Sequence, residues 1–421
     1  MWLDNALDHY SERNKKFIFL TPCLYAVGTA AENILYGLIK AKNNKKKLII
    51  LRPRIPEGIC KYTLSNPELY RLENEYICNR SFKKYVFELL LTIVFFTTRL
   101  TSLFLQRFNV YLRDDLNFPV VGVRELWRGE ISNRFDWDSV YSMGWEKSDN
   151  IFSIVIPGEN ESYQEIKSSL FPGDSQPWFV CLHVRESGYR NDAGRREYRN
   201  NRIENYLPLI EEIVNRGGYV VRMGDRSMTK LPVIEKVIDY PFHKLKNPKN
   251  DLILIKNCRF YIGNQSGIWD IANLFSKPTI TTDMNQWVHA FPVKYGDLGI
   301  YKNIYDSKLN RVLSFDEVMN SGWAAMTLTE DMSDRYSTID NSPEQLKLLI
   351  VEYFEWLNNG IGYSALQKET NKAKIEIGKR IIDEYFTDKA GYDIDAIKYK
   401  YACRLLSSFG ALSDNYLSDL N

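Results

Sequence analysis

Residues 178–202 read Trp178-Phe-Val-Cys-Leu-His183-Val-Arg185-Glu186-Ser-Gly188-Tyr-Arg190-Asn-Asp-Ala-Gly-Arg195-Arg196-Glu-Tyr-Arg199-Asn200-Asn201-Arg202. The apolar run Trp178 to Leu182 predicts a buried strand. It ends in His183-Val-Arg185-Glu186, and a loop dense in arginine follows. Ligands of open α/β sheets bind outside the carboxyl ends of strands. The sequence therefore delivers a guanidinium where an anion would sit. Arginine suits phosphate because its fork of donors is planar, fixed and always charged.

The pattern continues downstream. Asn201 can cap a helix in which Tyr206, Leu209, Ile210, Ile213 and Val214 fall at helical spacing, and Gly217-Gly218 stops it. Strands are expected at Tyr219–Met223, Val237–Tyr240, Arg259–Ile262 and Pro278–Thr281. Helices are expected at Asp251–Asn257 and Ile268–Phe275. This β/α alternation predicts a doubly wound domain. Upstream, strand Phe17–Leu20, helix Ala30–Lys40 and strand Leu48–Leu51 form a βαβ crossover, hence a second parallel sheet. Phe118–Val123 reads as a further strand, and 125–175 has no ordered periodicity. Two prolines and a glycine at Phe171–Pro177 mark a boundary. The expected division is an N-terminal Rossmann-like domain at 1–172, a C-terminal one at 173–325 and a helical extension at 326–421. In the last, helices are expected at 342–358 and 367–386.

The net charge of +2 gives no reason to expect bulk binding to nucleic acid. Cysteines 23, 60, 78, 181, 258 and 403 form no C-x-x-C pair, and Met1-Trp-Leu-Asp4 does not open a secretory signal. These features point to a reducing cytoplasm. The apolar run Leu89–Thr98 is too short to span a bilayer. A helix through Lys83–Phe108 can be a buried element of the first domain. It can also lie on a membrane surface, with Lys83, Lys84, Arg99 and Arg107 near lipid phosphates.

Three loops of the second half should meet at one sheet edge. They are Val184-Arg185-Glu186, Arg222-Met-Gly224-Asp225 and Gly263-Asn264-Gln265-Ser266-Gly267. The last opens a helix, whose free N–H groups and positive dipole end attract phosphate. His183 is either a structural, hydrogen-bonded ring or a donor to a ligand. No G-x-G-x-x-G follows a strand and no P-loop occurs, which disfavours a dinucleotide dehydrogenase and a P-loop kinase. The four histidines form no ligand-spaced pair. Asp136-Trp-Asp138 and Asp393-Ile-Asp395 match D-x-D, a pattern that recurs too cheaply to imply a metal.

The run His183–Asp283 resembles a family of bacterial glycosyltransferases of surface-polysaccharide clusters. The residues carrying the resemblance are His183-Val-Arg-Glu-Ser187, Arg199-Asn200, Gly217-Gly-Tyr-Val-Val-Arg-Met-Gly224, Ile238-Asp239-Tyr240, Cys258-Arg-Phe-Tyr-Ile-Gly263 and Ser266-Gly267. Tyr25–Leu38 and Arg404–Leu417 resemble it more loosely. The acid after the arginine is usually aspartate in the family pattern and is Glu186 here. The His-x-Arg opening is also similar to the donor loop of GT-B fucosyltransferases. The resemblance implies a GT-B fold, with two Rossmann-like domains facing a cleft and a nucleotide-activated sugar on the C-terminal one. It implies that Arg185 and Arg222 neutralise the diphosphate and that the 263–267 turn cradles the nucleotide. His183, Arg199, Asn200, Gly224, Asp239 and Tyr240 would complete the donor site. Glu186, beside Arg185, and Glu32, near the start of the first helix, are the candidate bases, and either can instead be a salt-bridge partner. No cofactor and no metal are implied. The acceptor would be a glycan or lipid-linked glycan in O-antigen or capsule synthesis, made in the cytoplasm or at the inner face of the inner membrane. A non-catalytic glycan- or nucleotide-binding subunit of the same fold, and another sugar-nucleotide enzyme, remain as alternatives.

Overall fold

A computed structural model describes residues 16–23, 26–54, 66–106, 152–189, 199–285, 291–320, 335–387 and 405–420. The chain divides into two compact units, one of Met1–Asp136 with Phe152–Glu159, the other of Trp137–Ile151 with Asn160–Asn421.

In the first unit β1 (Phe17–Leu20), α1 (Val27–Asn43) and β2 (Lys47–Ile50) form the expected crossover. The strands run parallel, from Phe17 opposite Lys47 to Leu20 opposite Ile50. α1 buries Ala30, Ile34, Leu38 and Ala41, spaced three and four apart, against this pair. Ile77 extends the pairing by a parallel bridge to Leu48. α2 (Phe82–Gln106) follows. The strand expected at 118–123 lies outside the described residues.

The second unit begins with α3 (Glu159–Leu170, all but its first residue) and β3 (Phe179–His183). A short 3-10 turn, Ile203–Tyr206, leads into α4 (Leu207–Asn215), then β4 (Tyr219–Arg222) and β5 (Val237–Asp239). The sequence points to Asn201 as the cap, but Arg202 takes the cap position of the turn, and the side chain of Asn201 bonds no helix end. Next come α5 (Pro248–Asn257), β6 (Tyr261–Gly263), α6 (Gly267–Leu274) and β7 (Thr279–Met284). β8 (Leu298–Tyr301), β9 (Asn303–Asp306), β10 (Arg311–Val312), α7 (Phe315–Asn320) and β11 (Tyr336–Ile339) follow. α8 (Pro343–Asn359), α9 (Ala365–Thr387), β12 (Ala411–Leu412) and α10 (Asp414–Leu420) complete it.

Seven strands form one sheet in the order β5-β4-β3-β6-β7-β8-β12, and every pairing is parallel. The chain winds outward from β3 through β4 and β5, then resumes on the other side of β3 with β6, β7 and β8. The direction of winding reverses between β3 and β6, the topological switch point where ligands of doubly wound sheets bind. β6 and β7 are buried at every residue, and β3 at all but His183, as central strands covered on both faces should be. The 335–420 segment belongs to this unit. β12 extends the sheet beside β8, and α8 packs along α4 and over β8 with Leu346, Leu349, Ile350 and Tyr353 buried. α8 is sharply bounded by a capping box of Ser342 and Gln345, Pro343 in its first turn and Gly360 at φ 88°.

Candidate functional site

The switch point is built around a close approach of β3 and β6. His183 lies opposite Gly263, and the next residue, Asn264, donates its backbone N–H to the His183 carbonyl at 3.2 Å. Gly263 adopts φ 147°, and a Cβ there would lie 2.1 Å from that carbonyl oxygen. Only glycine permits both the conformation and the contact.

Asn264 ties the loops together. Its Oδ1 accepts the Arg185 backbone N–H at 2.7 Å, and its Nδ2 donates to the Tyr206 hydroxyl at 3.0 Å. Arg199 reaches across from its loop and donates Nη2–H to the Gln265 carbonyl at 2.8 Å. Asn201 N–H donates to the Arg185 carbonyl at 2.9 Å, and the Asn200 carbonyl accepts from Lys302 Nζ at 3.1 Å. Ser266 caps α6 by position, yet its hydroxyl makes no bond to the helix. It lies 3.1 Å from His183 Nδ1 instead. Burial, and next the nearby Arg185 guanidinium, push the His183 imidazole down to about 3. The ring is neutral, and when it accepts from Ser266 at Nδ1 its own proton is on Nε2. His183, Arg185, Arg199, Asn200, Asn264, Gln265, Ser266 and Gly267 are thus brought together at one sheet edge. A positive side chain, a neutral imidazole and a helix N-terminus suit an anion.

Arg222 and Glu186 occupy a different geometry from the one their motif implies. The Arg222 side chain is fully buried at 0% exposure. Its Nη1 donates to the Thr229 carbonyl at 2.6 Å and to Asp239 Oδ1 at 3.0 Å, and its Nη2 to Glu186 Oε1. Glu186 Oε2 accepts from Thr229 N–H at 2.7 Å, and Asp239 Oδ2 from Leu231 N–H at 2.9 Å. Arg222 lies opposite Leu182 and Asp239 in neighbouring parallel strands, so its guanidinium meets two carboxylates of the fold. The expected diphosphate contact of Arg222 is replaced by this internal clamp, and both oxygens of Glu186 are engaged. Gly224, at φ 143°, starts the loop that the clamp holds. Tyr240 is core, its hydroxyl donating to the Leu245 carbonyl at 3.1 Å. Glu32 belongs to the first unit, on α1, where Tyr36 OH donates to Oε1 at 2.8 Å.

Behind Asn264 lies a polar chain that the sequence did not announce. The Tyr206 hydroxyl donates to Asp283 Oδ2 at 2.7 Å and is 2.8 Å from Thr282 Oγ1. Asp283 Oδ1 accepts from Asn341 N–H at 2.7 Å, and Asn341 Oδ1 accepts from Asp283 N–H at 2.8 Å. Asp283 is buried at the end of β7 with φ 48°. Burial pushes its carboxyl up to about 6. The only sequence signal was a polar Thr-Thr-Asp closing a buried strand.

Arg190, Arg195, Arg196 and both D-x-D matches lie outside the described residues. Among the described residues no cluster of three or more His, Cys, Asp or Glu could hold a metal ion. In comparisons with protein-family models, curated proteins and solved structures, nothing matches this chain.

Proposed function

We propose that the second unit binds the diphosphate of a nucleotide-activated sugar at its switch point, in a glycosyltransferase of GT-B type acting on a glycan or lipid-linked acceptor. The observation that carries this reading is the convergence of Arg185, neutral His183 and the N-terminus of α6 between β3 and β6. The Ser266 hydroxyl is turned to His183 and does not cap the helix, whose N-terminal dipole end attracts an anion.

In transfer, the bond from the anomeric carbon to the diphosphate oxygen breaks while the acceptor oxygen bonds that carbon. Arg185 and the α6 dipole meet the charge that develops on the departing nucleotide. His183 can donate Nε2–H to a phosphate or sugar oxygen, and Arg199 holds the 264–267 turn in place. The acceptor proton needs a base. Of the two candidate carboxylates, Glu186 has both oxygens engaged by Arg222 and Thr229.

The same engagement of Glu186 favours a second reading, a nucleotide- or glycan-binding subunit without turnover. Thermal-shift screening against GDP-, UDP-, CMP- and dTDP-sugars, followed by an assay for nucleotide release, separates the two. Stabilisation with release supports the transferase, and stabilisation without release supports the binding subunit. Stabilisation by none of the four would sink the donor-site reading.

A further inference from the structure

A surface helix ordinarily turns its apolar residues inward and its charges outward. α2 reverses this. Phe82, Tyr85, Val86, Leu89, Leu90 and Ile93 are exposed, Phe82 at 83% and Leu89 at 58%. Steps of three and four residues align them as one stripe over about three turns. The sole acid of the helix, Glu88, is buried at 4% exposure and pairs with Arg54 Nε at 3.1 Å.

The charges break a second local rule. Arg80, Lys83 and Lys84 gather at the N-terminus of α2, and its first turn carries no acid. The macrodipole already makes that end positive, so cations there are unfavourable until an anion joins them. Arg54, neutralised by Glu88, packs its guanidinium 4.8 Å from the Tyr85 ring centre. Lys84 donates to Asn79 Oδ1 at 3.4 Å and Lys83 Nζ lies 5.9 Å from the Phe17 ring centre, while Arg80 and Lys83 stay exposed beside the stripe.

An apolar stripe edged by cations fits a surface that offers hydrocarbon beneath phosphates. We propose that α2 docks the first unit on an anionic phospholipid bilayer. The stripe lies at the boundary of headgroups and acyl chains, and Arg80 and Lys83 lie on lipid phosphates. Among the described residues no helix is long and apolar enough to cross a membrane, so α2 lies on the bilayer. The inference rests on α2 alone and survives failure of the donor-site reading.

The test is flotation of the full chain with vesicles of phosphatidylcholine alone, and of two parts phosphatidylcholine to one part phosphatidylglycerol. The protein is expected to float with the anionic vesicles, less with the neutral ones, and less as salt rises. Arg80→Gln with Lys83→Gln is expected to lower the partition coefficient by about 10- to 30-fold. Leu89→Glu with Leu90→Glu is expected to abolish flotation without moving the melting midpoint, because both positions are exposed. Absence of wild-type flotation with anionic vesicles overturns the proposal, and so does equal flotation of the Leu89/Leu90 variant. A dimer that this variant dissolves, with flotation unchanged, assigns the stripe to a second copy of the chain and also overturns it.

Discussion

Arg185 and Arg222 sit at the ends of adjacent strands and differ in what neutralises them. The buried Arg222 guanidinium faces two half-buried carboxylates, so removing it leaves Glu186 and Asp239 without their cation. Arg222→Met is expected to destabilise the fold by about 3–5 kcal/mol, read by denaturant unfolding. A loss below about 1 kcal/mol would show that the clamp is not structural. Asp283 is the second residue whose environment sets its chemistry. With its carboxyl raised from 3.8 to about 6, the folded state holds that proton more tightly than the unfolded chain does. The resulting stability is fully present below pH 3.8 and is lost as pH rises through about 6. Asp283→Asn removes the titration. The stability of wild type minus variant is expected to fall by about 2–3 kcal/mol between pH 4 and pH 8. A pH-independent difference would contradict the burial argument.

Among the elements, the meeting of β3 and β6 decides whether a site exists. A methyl group at Gly263 would strike the His183 carbonyl, which is backbone and cannot swing away. Gly263→Ala is therefore expected to cost more than about 2 kcal/mol in chemical denaturation, and a neutral result would remove the close approach from the account. The sequence made most of these elements legible. The run Phe179–His183 carries no charge, and α4 repeats Leu209, Ile210 and Ile213 at helical spacing, so both were read within a few residues. The Gly263–Gly267 turn was read from its glycines. β8 to β12 are not legible in the sequence because two to four residues are too few to carry a period, and the pairing of Ala411–Leu412 with β8 depends on contacts over a hundred residues away in sequence. The clamp on Arg222 was hidden for a related reason. A motif shows an arginine at a strand end, but only the register with β3 and β5 shows that carboxylates await it.

At the scale of the whole molecule, the second unit's sheet winds outward from β3 in both directions and leaves its ligand edge where the winding reverses. That order explains why residues as distant in sequence as His183, Arg199 and Ser266 share one edge, and why β/α alternation alone foretold the loops that meet there. Fold does not fix function, so the proposed function depends on whether the edge holds a nucleotide diphosphate through Arg185. Calorimetric titration of the wild-type chain and of Arg185→Ala, with the nucleoside diphosphate of whichever sugar nucleotide stabilises the protein most, tests this directly. Arg185 is half-buried at the sheet edge and outside the packed core, so the variant is expected to keep the wild-type melting midpoint. It is expected to bind about 10- to 100-fold more weakly, the loss that follows removal of a charge-assisted hydrogen bond. Equal affinities for the two proteins would contradict it.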